Sequence, residues 1–64
     1  MTQKELLYVE DAIGHEQNIE SIIKESINYL EDDKLISFMN KELKKHQAME
    51  KKLVQMLEDK VNEW

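Results

Sequence analysis

The sequence predicts an all-α protein in which two long helices form an antiparallel hairpin, and in which two hairpins dimerise into a four-helix bundle. Apolar residues recur at helical spacing in both halves of the chain, and the acidic run 31–33 separates the halves. There is no Pro, internal repeat or linker, so residues 1–64 are treated as a single domain. The two apolar faces are too wide to be covered by each other alone, and a second hairpin would cover them.

The first helix is predicted over residues of about 3–30. Thr2 is followed three residues later by Glu5, which is the spacing of a capping box. One broad apolar face carries Tyr8, Val9, Ala12, Ile19, Ile22, Ile23, Ile27 and Leu30. Gly14 falls on the outer face, where it is expected to cost about 1 kcal/mol relative to alanine.

A turn is predicted at residues 31–33, and a second helix over about 34–61. Three consecutive acids oppose the helix dipole where the first helix ends, and Asp32 or Asp33 is a favourable N-cap for the next helix. The inner stripe of the second helix carries Leu35, Met39, Leu43, Leu53, Leu57, Val61 and Trp64. It is flanked by Ile36, Phe38, Met49, Val54 and Met56, and the opposite side carries five lysines.

The length and composition favour a protein that associates with other chains. A chain of 64 residues buries only about 60% of its unfolded surface, and without disulfides it usually needs a metal or a partner. The absence of Cys excludes disulfides and thiolate chemistry. No apolar run approaches the ~20 residues of a membrane span, and the polar start lacks the apolar region of a signal peptide. We therefore expect a cytoplasmic protein with no membrane partner.

The charge is distributed unevenly along the chain. Residues 1–33 hold two lysines and nine acids, and residues 34–64 hold seven lysines and five acids, so a formal net charge of −5 divides into −7 and +2. This asymmetry favours antiparallel neighbours of opposite sign, although each exposed pair contributes only a few tenths of a kcal/mol. An acidic chain is also not expected to bind nucleic acid.

Ionisable residues interrupt the apolar stripes near the middle of the predicted hairpin. Glu42, His46 and Glu50 share one stripe of the second helix, at a spacing of four residues. In a hairpin that turns near residue 32, residues whose numbers sum to roughly 64 lie side by side. Glu16, at the centre of the first apolar face, then lies level with residues 46–50. The sequence thus predicts a buried layer of Glu16, His46 and Glu50, with Glu42 one turn away and Glu20 beside it.

Two interpretations of this layer remain open. In the first, His46 hydrogen-bonds Glu16 or Glu50, and the polar layer fixes register and partner orientation without any cofactor. In the second, a dimer supplies Glu16, Glu42, His46 and Glu50 from each copy as ligands for a di-iron or di-manganese site of the carboxylate type. Such bundles use Glu and His three residues apart, whereas Glu42 and His46 are four apart.

Other chemistry finds little support in the sequence. There is no Gly-rich phosphate loop, no zinc-protease signature and no nucleophile paired with a base. No catalytic residue is therefore predicted, and the chain is not expected to be an enzyme unless the di-metal site exists.

Three segments follow one another in a recognisable order: 11–29 in the first helix, Leu30-Glu31-Asp32-Asp33-Lys34-Leu35-Ile36 at the turn, and the stretch from His46 to Met56. In these segments, which span most of the chain, the sequence resembles the spore-coat F family, ferritin-like helical proteins of endospore-forming bacteria. The end, Asn62-Glu63-Trp64, echoes the family's Gly-Trp-Tyr ending, with no Gly and no final Tyr. The resemblance implies a structural protein of the spore coat on a ferritin-like scaffold.

A thinner resemblance links Met39-Asn40-Lys41-Glu42-Leu43-Lys44 to the Ser-Gln-Glu-Leu-Asp motif of small helical-hairpin phosphatases of sporulation. Lys44 stands where that motif has its essential acid, so the activity is not expected here. The function we expect is thus a non-catalytic homodimer with a structural or protein-interaction role in sporulation, cytoplasmic or in the spore coat. The alternatives are a metal-binding bundle and a small regulatory module that uses its acidic first helix to dock a basic partner. Coat or regulatory proteins are the protein partners to expect.

Overall fold

The computed structural model describes residues 1–62, with side chains for residues 1–60, and contains two helices in that range. Helix α1 spans Gln3–Ile27 and helix α2 spans Asp33–Asn62. The Cα trace extends 49 × 15 × 11 Å. Because 30 helical residues rise about 45 Å, the helices must lie side by side along the long axis. The predicted all-α hairpin is confirmed, and the predicted side chains of Val61 and Trp64 fall outside the described residues.

The capping box at the start of α1 is present as predicted. The Thr2 hydroxyl accepts a hydrogen bond from the Glu5 backbone N–H at 3.1 Å, and the Thr2 backbone N–H donates to Glu5 Oε1 at 2.8 Å. These two bonds satisfy donors that the first helical turn leaves unpaired. The hydrogen bonds from Thr2 also lower the pKa of Glu5.

Helix α1 ends at Ile27, three residues earlier than the sequence predicted. The backbone N–H groups of Asn28, Tyr29 and Leu30 each donate to the carbonyl three residues back, which tightens the chain out of α-helical geometry. Leu30 is still half-buried, because the tightened turn keeps it on the inner side. Its apolar side chain continued the helical pattern in the sequence past the true end of the helix.

Asp32 caps α2, which confirms one of the two predicted caps. Its carboxylate accepts from the Leu35 backbone N–H at 3.0 Å, and its carbonyl accepts from the Ile36 N–H at 2.9 Å. The turn between the helices is therefore residues 28–32, and Asp33 already belongs to the first turn of α2, where an acid favours the helix dipole.

The contact between the helices is narrower than the apolar faces predicted from the sequence. Among residues 1–60, only Ile23 and Glu20 are buried, and a half-buried stripe runs along each helix beside them. Tyr8, Ile22 and Leu35, which the sequence placed on inner faces, are exposed in the hairpin. A single neighbouring helix covers only a strip of an apolar face, so the rest of each face stays open to solvent.

Neither described helix is apolar over a stretch long enough to cross a lipid bilayer.

Gly14 lies in the interior of α1, and a Cβ atom built there meets no other atom within 4 Å. We expect Gly14→Ala to stabilise the protein by about 1 kcal/mol, since alanine has the higher helix propensity and nothing obstructs its methyl group. For a chain of this size the melting temperature should rise by roughly 4–8 °C, as measured by circular dichroism. A variant no more stable than the wild type would show that this side of α1 is closely covered in the assembled protein.

Candidate functional site: polar pairs between the helices

Glu16 and His46 meet between the two helices, as the sequence predicted. His46 Nδ1 lies 2.5 Å from Glu16 Oε2, across 30 residues of sequence. The Glu16 side chain is 18% exposed and the His46 side chain is 29% exposed. A carboxylate oxygen can only accept from an imidazole nitrogen, so this contact is a hydrogen bond in the form of His46 that carries a hydrogen on Nδ1. The pair fixes the register of α2 against α1, because a shift of one residue on either helix would separate it.

A second polar cluster lies beside this pair and consists of Gln17, Glu20 and Glu50. Gln17 Nε2 donates to Glu50 Oε2 at 3.0 Å. The Glu20 side chain is only 7% exposed, and its Oε2 has no hydrogen-bond donor within the described part of the chain. Two ionised carboxylates cannot bond each other, so the hydrogen bond with Glu50 that raises the pKa of Glu20 requires a proton on one of the two groups.

The environment moves the pKa values of Glu20 and Glu50 in opposite directions. The hydrogen bond to Glu50 raises the pKa of Glu20 most, followed by burial and the negative charge of Glu50. Lys24 opposes this rise in pKa, and Glu16 adds to it. The pKa of Glu50 is lowered by the hydrogen bonds from Glu20 and Gln17. The two carboxyl groups therefore share one proton over a range of pH in which separate glutamates would titrate together.

Of the two partners predicted for His46, Glu16 is the one it contacts, and Glu50 bonds Gln17. Glu42 is drawn to its own helix, where its Oε1 lies 3.3 Å from Lys45 Nζ. Lys45 is 73% exposed, so this ion pair is a weak surface contact. The four predicted ligands are thus divided among three separate contacts.

A metal ion needs at least three converging donors in a site of this type. Among the described residues of one chain, no three His, Cys, Asp or Glu side chains are placed to hold one. The donors of a single hairpin do not fit an iron or manganese ion, and the predicted site stays a prediction that depends on ligands from a second copy.

Gln17 is a member of the site that the predicted polar layer did not include, because it lies outside the apolar face predicted for α1. Its long side chain reaches across to Glu50 from the edge of the interface. The available signal was the spacing of Gln17 and Glu20, which places them one turn apart on the flank of α1 that faces Glu50.

Comparison with known proteins gives no relative for this chain: no protein-family model, curated protein or solved structure matches it significantly.

Proposed function

We propose that this protein is a non-catalytic assembly protein: a helical hairpin that pairs with a second copy to form a four-helix bundle, in a structural or protein-interaction role of the spore-coat type. The observation that carries the proposal is the incomplete core. One apolar side chain, Ile23, is buried among residues 1–60, while eight large apolar side chains are exposed. An exposed apolar surface of this extent is typical of a surface that another chain covers.

The polar pairs suit an assembly role. Buried polar contacts add little net stability, but they penalise every arrangement that leaves them unpaired. The pair Glu16–His46 and the cluster around Glu50 both join α1 to α2 near the middle of the helices. A hairpin in which one helix is shifted along the other would lose these hydrogen bonds and would therefore be less stable. A hairpin held in one register presents one defined surface to its partner.

The mass of the protein in solution tests the proposal. We expect sedimentation equilibrium to give twice the 7.7 kDa of one chain, with a melting temperature that rises with protein concentration because dissociation is coupled to unfolding. A mass of 7.7 kDa at every concentration, with an unchanged melting temperature, would contradict it. That result would favour the alternative in which a monomer docks a regulatory or coat protein.

A metal-binding bundle is the second candidate, and it is favoured by the contact of Glu16 with His46, which are two of the predicted ligands. The same melts repeated with Fe(II), Mn(II) or Zn(II) test it. Stabilisation by metal that disappears in His46→Ala would support this candidate, since a ligand stabilises only the state that binds it. Equal melting curves with and without metal would reject it.

A further inference from the structure

Most of the exposed large apolar side chains among residues 1–60 lie on one side of the hairpin. On the α1 side they recur every seven residues: Tyr8 and Ile22 lie on the helix with the polar His15 between them, and Tyr29 lies in the turn that follows. On α2 the corresponding row is Leu35, Met49 and Met56, with the half-buried Glu42 between Leu35 and Met49 and with Phe38 beside the row. Seven residues make nearly two helical turns, so each row stays on one flank of its helix. We call the surface formed by these two rows and Phe38 the open face.

Both rows lie on the same side because of the antiparallel geometry. Each row lies counter-clockwise of the half-buried stripe of its own helix, viewed from the N-terminus of that helix. Two antiparallel neighbouring helices are related by an approximate two-fold axis perpendicular to the plane of the hairpin. Rotation about this axis exchanges the helices but keeps the front of the hairpin in front, so the same flank of each helix lies on the same side. Tyr8 and Met56 line the same depression of about 440 Å³ at the end away from the turn, which agrees with this placement.

The open face holds nearly all of the exposed large apolar side chains in the described part of the chain. Seven of the eight belong to it, and Leu7 is the exception. The hairpin measures 49 by 15 Å across this side, so the face offers roughly 700 Å², close to the ~800 Å² that each partner buries in a standard stable interface. The open face is therefore large enough for a stable dimer.

Charge decides which arrangement of a second copy fits. Helix α1 carries two lysines and six acids, whereas α2 carries seven lysines and five acids. Stacking α1 on α1 would bring two negative helices together, and stacking α1 on α2 pairs helices of opposite sign. A two-fold axis parallel to the helices produces the second arrangement and leaves the copies unshifted along their length.

Building on the proposed function, we infer that a second copy covers the open face about a two-fold axis parallel to the helices, so that α1 of each copy lies along α2 of the other. Residues that are level within one hairpin are then level across the interface. Tyr8 then lies opposite Met56 of the second copy.

The edges of the open face agree with this register. Lys4 and Asp11 follow the edge on α1, and Asp59 and Lys52 follow the edge on α2 at the same levels. Lys4 of one copy then faces Asp59 of the other, and Asp11 faces Lys52. Both edge pairs combine opposite charges, which favours this register over a slipped one.

Disulfide trapping tests the arrangement, because the chain has no native cysteine. Chains carrying Tyr8→Cys are mixed with differently tagged chains carrying Met56→Cys and then oxidised. We expect the mixed disulfide to be the main product, since facing residues of adjacent helices come within the ~7 Å Cα separation that a disulfide spans. The matched control replaces Tyr8→Cys by Leu7→Cys, one position away on the other side of α1, and should give little mixed product.

Met49→Cys alone detects the competing arrangement. If α2 lay on α2, this position near the middle of α2 would face its own copy and form a homodisulfide. In the inferred arrangement the two Met49 positions lie diagonally across the bundle, out of reach. A dimer that traps Met49→Cys and not the mixed pair would overturn the inference while leaving the proposed function intact. A monomer at every concentration would overturn both.

A pair of serine variants checks the face independently of cross-linking. Phe38 and Leu7 are each 57% exposed, and only Phe38 belongs to the open face. We expect Phe38→Ser to weaken dimerisation by about tenfold or more, because it removes apolar area from the interface. Leu7→Ser should leave the dimer affinity unchanged, and equal losses of affinity in the two variants would contradict the inference.

Discussion

Ile23→Ala is expected to destabilise the protein by about 2–5 kcal/mol. Ile23 is the one apolar side chain that is buried within residues 1–60, so its loss leaves a cavity where α1 meets α2. Chains of this length are typically stable by only roughly 3–10 kcal/mol. The variant should therefore be largely unfolded at a temperature where the wild type is folded.

Urea unfolding followed by circular dichroism, at matched protein concentrations, measures this loss. Leu7→Ala is the control, because it removes a side chain of similar size from an exposed position of the same helix and should change stability by less than about 0.5 kcal/mol. Similar losses in the two variants would show that Ile23 is not the centre of the core.

Glu20→Gln is expected to stabilise the protein at neutral pH and to flatten the dependence of its stability on pH. Because folding raises the pKa of Glu20, protonated Glu20 stabilises the folded state. This stabilisation is fully present below pH 4.5, the ordinary pKa of a glutamate, and is lost as the pH rises through the raised pKa. The lowered pKa of Glu50 contributes stability that is present above 4.5 and is lost as the pH falls through the lowered value. The wild type should thus be most stable in mildly acidic solution.

A glutamine at position 20 can keep the hydrogen bond to Glu50 at every pH. Its amide is uncharged and donates to Glu50, as the protonated Glu20 carboxyl does. The melting temperature of Glu20→Gln should exceed that of the wild type by a few degrees near pH 7, and the two should approach each other near pH 4.5.

The control for Glu20→Gln is Glu10→Gln, which removes the same charge from an exposed position of α1. It should shift the whole melting profile slightly and leave its shape unchanged. If Glu20→Gln melts below the wild type at neutral pH, or if its profile matches that of Glu10→Gln, then Glu20 and Glu50 do not share a proton.

The local start signals of both helices could be predicted because they depend on short spacings. Thr2 with Glu5 and Asp32 before α2 act through backbone groups three residues away, and the structure contains both. The end of α1 could not be predicted, because Leu30 continues the apolar pattern after the backbone has left the helix.

The candidate site was predicted only in part, for reasons of side-chain reach. Glu16 and His46 lie at the centres of their stripes, so a simple hairpin register brings them together. Glu50 could have reached either neighbour, and the choice depended on Gln17 extending across the interface. The apolar pattern predicted faces wider than one neighbouring helix can cover, and the exposure of Tyr8 and Ile22 agrees with that; the pattern alone did not indicate which apolar residues stay uncovered.

The hairpin connection also sets the order in which the two helices can come together. Contacts near the turn close short loops, whereas the contact of Glu16 with His46 closes a loop of 30 residues and those near Tyr8 and Met56 close longer ones. The entropy lost on closing a loop grows slowly with its length. We therefore expect contacts between α1 and α2 to form first near the turn and then successively towards the opposite end of the hairpin. Opening follows the reverse path, and the last amides to exchange with solvent belong to the segment around Glu20 and Ile23.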